Sequence, residues 1–205
     1  MEDVLDLYAE PYDPARPVVC FDETSKQLIA ETRVPLPMEP GNPERIDYEY
    51  ERNGTANLFL VTQPHGAWRH VDVTDRRTKH DFALQMRDLV DCHFPDAERI
   101  RVVLDNLNTH TPAALYEAFP PAEAGRVRRK LEFHYTPVHG SWLNMAELEF
   151  SMLSRQCLNR RLGDRDTLVT EVAAWQAARN EQRATIRWQF TVDDARRKLH
   201  RLYPS

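Results

Sequence analysis

The chain has 205 residues, enough for one domain with a sizeable core, and carries 27 Lys and Arg against 32 Asp and Glu for a formal net charge of -5. No run of 18 or more apolar residues is present, and the acidic opening Met1-Glu2-Asp3 lacks the basic start of a secretory signal, so a cytoplasmic protein without a membrane span is expected. Cys20, Cys92 and Cys157 are odd in number and far apart, which excludes a disulfide framework or a paired-cysteine zinc centre; all three are expected reduced, with Cys20 buried.

An acidic average argues mildly against a nucleic-acid partner, since phosphate binding rests on Lys and Arg. The average hides a split. Residues 151–205 hold 11 basic and 6 acidic side chains, whereas residues 1–150 hold 16 basic and 26 acidic. A basic end facing DNA and a solvated helical face are both open readings of those arginines.

In chain order, Val4, Leu5 and Tyr8 have the spacing of a short amphipathic helix, and Pro11, Pro14 and Pro17 end it in an extended lead-in, so that residues 1–16 precede the main domain of 17–205. Residues 17–23 (Pro17-Val18-Val19-Cys20-Phe21-Asp22-Glu23) form an apolar strand ending in acid, followed by a turn at Thr24-Ser25-Lys26 and a second run over 27–31. The proline-rich stretch 34–43 and the following 45–50 read as an irregular loop with some strand content. Asn53-Gly54 signals a tight turn before a strand at 55–62, and another strand follows at 68–74. Helical spacing over 79–92 leads to a buried strand at 101–105. Thr111-Pro112 starts a short helix over 113–119, Pro120-Pro121 stops it, and 131–135 alternates like a strand. A helix is expected from about Ser141 to Arg160, another capped by Asp166 or Thr167 and running to about Arg183, and a last one over 195–202.

Two runs carry chemistry. Arg101-Val102-Val103-Leu104-Asp105-Asn106 is an apolar burst that stops in polar groups, as when a buried strand delivers a carboxylate to its open end. In His134-Tyr135-Thr136-Pro137-Val138-His139-Gly140-Ser141-Trp142-Leu143-Asn144-Met145-Ala146-Glu147 a strand breaks at Pro137 and Gly140, and Glu147 lies near two turns into the next helix. Asp22 supplies a third acid.

The order Phe21-Asp22-Glu23, then Leu104-Asp105-Asn106-Leu107-Asn108-Thr109-His110, then Gly140-Ser141-Trp142-Leu143-Asn144 and Glu147, resembles the DDE transposase domain of the mariner superfamily in its bacterial insertion-sequence branch, over residues 18–203. The resemblance implies an α/β, RNase H-like fold with a mixed five-stranded central sheet flanked by helices. It implies phosphodiester hydrolysis at transposon ends and transfer of the freed 3′ hydroxyl into target DNA, with Asp22, Asp105 and Glu147 as catalytic carboxylates holding two Mg2+ or Mn2+ ions. Two divalent ions about 3.5–4 Å apart serve such in-line displacements, and hard oxygen ligands suit magnesium.

Each acid has a plainer reading. One of the pair Asp22 and Glu23 could merely terminate a strand, Asp105 could belong to an Asx turn with Asn106 and Asn108, and Glu149 competes with Glu147 although about 200° of helical rotation separates them. Asn106 and His110 could orient water or touch phosphate, or His110 could pack. His139, Ser141 and Trp142 could hold DNA before the helix, with Trp142 otherwise in the core; Arg155, Arg160 and Arg161 could contact phosphates. The 41 residues between Asp105 and Glu147 exceed the mid-thirties spacing of the superfamily, and 120–130 reads as an inserted surface loop. Helix-turn-helix modules usual in the family do not precede residue 18, so a separately encoded helix-turn-helix subunit, or a truncated catalytic half, is expected; self-association into a homodimer would bring two ends together. A nuclease without strand transfer and an inactive DNA-binding remnant are the alternatives.

Overall fold

In the computed structural model, which describes residues 1–34, 36–43, 45 and 47–202, five strands form one sheet in the order β3-β2-β1-β4-β5. They are β1 (Val18–Glu31), β2 (Tyr50–Gln63), β3 (Trp68–Thr74), β4 (Ile100–Leu104) and β5 (Leu131–Tyr135). β1 pairs antiparallel with β2 and β2 with β3, whereas β4 lies parallel to both β1 and β5, giving the mixed sheet anticipated above. Pro35 of the proline-rich stretch, Glu44 and Ile46 just after it, and residues 203–205 lie outside the described residues. Among the described residues no helix is long and apolar enough to cross a membrane.

The sheet is buried on both faces, which is why its central strands read as unbroken apolar runs rather than as alternating ones. Side chains of successive residues nevertheless point to opposite faces. Val18 and Cys20 join a cluster with Leu143, Met145, Ala146, Phe150, Leu168 and Val172, beneath α1 (Glu2–Ala9), α5 (Met145–Leu153), α6 (Arg165–Glu181) and α7 (Val192–Lys198). Val19 and Phe21 join the opposite cluster with Phe82, Met86, Leu89, Leu115 and Val127, beneath α2 (Lys79–Asp88), α3 (Ala113–Ala118) and α4 (Pro121–Lys130). This parity decides where the acids at the end of the run go.

Several local expectations are corrected. Thr24-Ser25-Lys26 is no turn: β1 continues through it to Glu31, paired with β2 all along. Asn53-Gly54 is likewise inside β2. Gln27 faces Thr55 but Ile29 faces Arg52, so β2 carries one extra residue there, and Gly54 at φ +88° adopts the left-handed conformation a bulge requires. The segment taken as an inserted loop contains α4, begun by Pro121 at its first turn and packed through Ala124 and Val127. Asp164, rather than Asp166 or Thr167, caps α6, its carboxylate accepting the Thr167 amide at 2.7 Å. The three cysteines are free, with Cys20 and Cys157 buried and Cys92 exposed.

The outer edge of β3 is covered by α6. The Asn180 side chain accepts from the Arg69 amide and donates to the Arg69 carbonyl, both at 2.9 Å, and Gln176 accepts from the Val71 amide at 2.6 Å. Leaving such groups unmet costs about 1–3 kcal/mol each, and an open edge invites pairing with another chain. One helix answers both problems.

Candidate active site

The site lies where β1 and β4 separate. Their parallel pairing ends at Cys20 and Val103, and Asp22 and Asp105 follow two residues further on in each chain segment. By parity Asp22 shares the face of Val18 and Cys20, the side of α5, and it is 7% exposed. Its Oδ1 accepts the Glu23 amide at 2.8 Å, and its Oδ2 lies 3.4 Å from the Asn144 side-chain nitrogen. Burial pushes the Asp22 carboxyl up to about 7; the Glu23 amide opposes this, and the charges of Glu147 and Asp105 add to it. Among the described residues Asp22 and Glu147 form no ion pair.

Asn144 fixes the start of α5. Its side chain accepts from the Ala146 amide at 3.1 Å and donates to the Phe21 carbonyl at 2.8 Å, tying the helix to β1 beside Asp22. The chain before it is a separate turn over Ser141–Leu143, so the helix starts four residues later than expected and Glu147 stands in its first turn, not its second. Gly140 is needed there because a Cβ would meet Pro137 Cγ at 2.6 Å and the Pro137 carbonyl at 2.9 Å. Glu147 is exposed, and its charge raises the Asp22 carboxyl. Glu149, on the other side of the helix, is fully buried. Arg179 grips it with two nitrogens at 2.9 and 3.2 Å, and Arg69 Nε approaches at 3.5 Å.

Asp105 is held from the opposite face of the sheet. His110, fully buried, places Nδ1 2.5 Å from Asp105 Oδ1 and Nε2 3.3 Å from Glu23 Oε2. Burial alone would lower the imidazole, but its bonds to Asp105 and Glu23 outweigh that and raise it to about 9. His110 is therefore neither free to meet solvent nor a simple packing residue.

The remaining candidates are dispersed in role. Asn106, His139 and Ser141 are exposed, Asn106 next to Asp105 in the chain and His139 at φ 61°. Trp142 is 44% exposed and stacks against Trp188 at 6.3 Å, so it is not a core residue. Arg155 is exposed and touches only Met152 at 3.0 Å among the described residues. Arg160 pairs with Glu171, and Arg161 with Glu31 at 2.6 Å and the Asp47 carbonyl at 2.9 Å, bracing the outer end of β1. Glu23 and Asn144 have positions in the site that motif reading passed over. Parity along 18–23 could have placed Glu23 opposite Asp22, and Asn144 stands where a helix cap belongs.

Among the described residues no group of three or more His, Cys, Asp or Glu side chains stands close enough to hold a metal ion. Asp22 feels Glu147 and Asp105 through their charges, which raise its carboxyl, while the charge of His110 lowers it by less. The donor types and the unbalanced charge nevertheless suit a divalent ion with hard-oxygen preference.

A family model described as DDE superfamily endonuclease matches residues 17–169. The chain belongs to that family. The central sheet and its flanking helices are those of an RNase H-like catalytic domain, and solved structures share them. A Mos1 transposase paired-end complex with left transposon end is 18% identical, with a TM-score of 0.57 over 86% of this chain and 52% of that one. A pre-cleavage Mos1 transpososome is 15% identical, with a TM-score of 0.57 over 89% and 58%. A Mos1 mariner paired-end complex described with Mn is 17% identical, with a TM-score of 0.52 over 89% and 54%. At these identities the likeness is one of fold, and this DDE endonuclease chain spans about half the length of the chains it resembles. No curated protein sequence matches it.

Proposed function

We propose that this chain is the catalytic domain of a cut-and-paste DNA transposase of the mariner superfamily, of the bacterial insertion-sequence branch. The observation that carries this reading is the buried Asp22, whose carboxyl the charges of Glu147 and Asp105 raise, with His110 as a smaller opposing charge, and which forms no ion pair among the described residues. In an endonuclease family, such an imbalance is what a metal site would relieve.

Asp22, Asp105 and Glu147 would hold Mg2+ or Mn2+, two ions in all. When bound, such ions activate the attacking oxygen and stabilise charge on phosphorus and on the departing 3′ oxygen. The chain's own contribution is placement. Asn144 ties the first turn of α5, which carries Glu147, to β1, and His110 restrains Asp105 at the open end of β4. Asn106, which follows Asp105, and His139, Ser141 and Trp142, on the segment leading into α5, are the candidate DNA contacts; the exposed face of Trp142 offers a stacking surface. Of the three arginines, Arg155 is the one available for phosphate, since Arg160 and Arg161 are engaged in ion pairs. Transposon ends and target DNA are the substrates, with a homodimer pairing two ends and a helix-turn-helix subunit reading them.

The test is a strand-transfer assay with pre-cleaved duplexes carrying the ends of the element that encodes this chain, plus Mn2+. Products longer than the donor are expected. Nicking without such products would leave a simple nuclease, and neither activity in the presence of the end-reading subunit would leave an inactive remnant.

A further inference from the structure

Glu23 has no part in the mechanism above, yet its side chain is only 4% exposed, and charged side chains are almost never buried so far unless paired. By strand parity it points away from Asp22, into the layer of Phe21, Phe82 and His110. There its carboxylate meets His110 Nε2 at 3.3 Å, with Arg77 3.7 Å away on the solvent side. The other imidazole nitrogen lies 2.5 Å from Asp105. A ring with a carboxylate at each nitrogen satisfies both only by donating from both. The ring has little freedom to do otherwise: Phe21 packs edge-on at 5.4 Å, Phe82 lies at 4.9 Å, and the His110 carbonyl accepts from the Tyr135 hydroxyl at 2.9 Å.

Asp105 needs such a restraint. It follows the last residue of β4, so no ladder hydrogen bonds fix it, and its side chain is 26% exposed. We propose that Glu23 is a positioning residue which, by anchoring His110 through the sheet from the far side of Asp22, sets the direction in which Asp105 offers its carboxylate to a divalent cation. Consecutive acids then divide the work. Asp22 meets the cation, and Glu23 aligns the acid that meets it from β4. The inference rests on the reading of Asp105 as a metal ligand.

The experiment uses the full chain as wild type, Glu23→Gln, Glu23→Ala, Glu23→Asp and Asp105→Asn, with two readouts. The first is proton NMR of the metal-free protein, where the short imidazole bond should give an N–H resonance downfield of the backbone amides. That resonance should move or vanish in Glu23→Gln and Glu23→Ala, as in Asp105→Asn. The second is Mn2+ binding by electron paramagnetic resonance, together with DNA cleavage as a function of Mn2+ concentration. Loss of an outer partner typically weakens metal binding about 10–100-fold. Glu23→Gln should therefore raise the half-saturating Mn2+ at least about tenfold while leaving the rate at saturating Mn2+ nearly unchanged, and Glu23→Asp should recover part of the affinity. An unchanged resonance in Glu23→Gln, or unchanged Mn2+ affinity, overturns the proposal. So does a lost rate at saturating Mn2+ with normal affinity, which would put Glu23 at the reacting atoms. Should the wild type bind no Mn2+, the metal-site reading itself fails; the NMR arm still decides whether Glu23 governs the imidazole.

Discussion

Replacing Asp22 by Asn is expected to abolish DNA cleavage and, in the same variant, to make the metal-free protein harder to unfold. Both outcomes follow from one arrangement. The carboxylate is buried, faces the charges of Glu147 and Asp105, and has as polar contacts the Glu23 amide and a long one from Asn144. Its carboxyl is raised to about 7, so the folded state holds its proton more tightly than the unfolded chain does. The Asp22 group therefore adds no penalty below about pH 4, where both states are protonated; the penalty grows as pH rises and is complete above about 7. An uncharged amide of the same shape removes it. The shift bounds the gain at about 4 kcal/mol. Urea denaturation of Asp22→Asn and wild type at pH 4 and pH 8, without metal, measures it: the curves should nearly coincide at pH 4 and separate at pH 8 in favour of the variant. A variant less stable than wild type at pH 8 would mean that Asp22 is held by its fold partners rather than strained by them.

The second large effect separates two glutamates on one helix. Glu147→Gln should lose cleavage by several orders of magnitude while changing stability by less than about 0.5 kcal/mol, since the residue is exposed and forms no ion pair among the described residues. Glu149→Gln should do the reverse. It leaves Arg69 and Arg179 facing an uncharged amide, with Arg69 buried and Glu149 fully so. Breaking a buried pair from one side costs about 3–5 kcal/mol. Thermal unfolding should show a markedly lower midpoint, with cleavage persisting at temperatures where the variant remains folded. Loss of cleavage at unchanged stability in Glu149→Gln, with activity retained in Glu147→Gln, would exchange the roles of the two.

How far the sequence reveals this site depends on which physical signal is local. Apolar runs marked β1 and β4, because strands buried on both faces must be apolar throughout, and their polar ends marked Asp22 and Asp105. Helical rotation separated Glu147 from Glu149 without coordinates. Which of the two faced Asp22 could not be read that way, because it depends on Arg69 and Arg179, respectively 80 residues before and 30 after Glu149 in the chain. Turn chemistry misled at Asn53-Gly54: the same pair that closes a hairpin also serves a bulge, and only the register of the facing strand distinguishes them. The helix over Pro121–Lys130 was obscured by its polar surface, since two small buried residues, Ala124 and Val127, are its main apolar anchor. The Glu23–His110–Asp105 row could not be seen because Glu23 stands 87 residues from His110 in the chain and meets it only in the folded sheet, although Asp105 and His110 share one run.

The central claim is that acids from β1, the end of β4 and the first turn of α5 serve one cation-binding pocket. Crystals soaked in Mn2+ and measured at the manganese absorption edge test it most directly. Anomalous density bounded by Asp22, Asp105 and Glu147 is predicted, and it should disappear in Asp22→Asn crystals treated identically. Density confined to other side chains, or unaltered by Asp22→Asn, would contradict the claim.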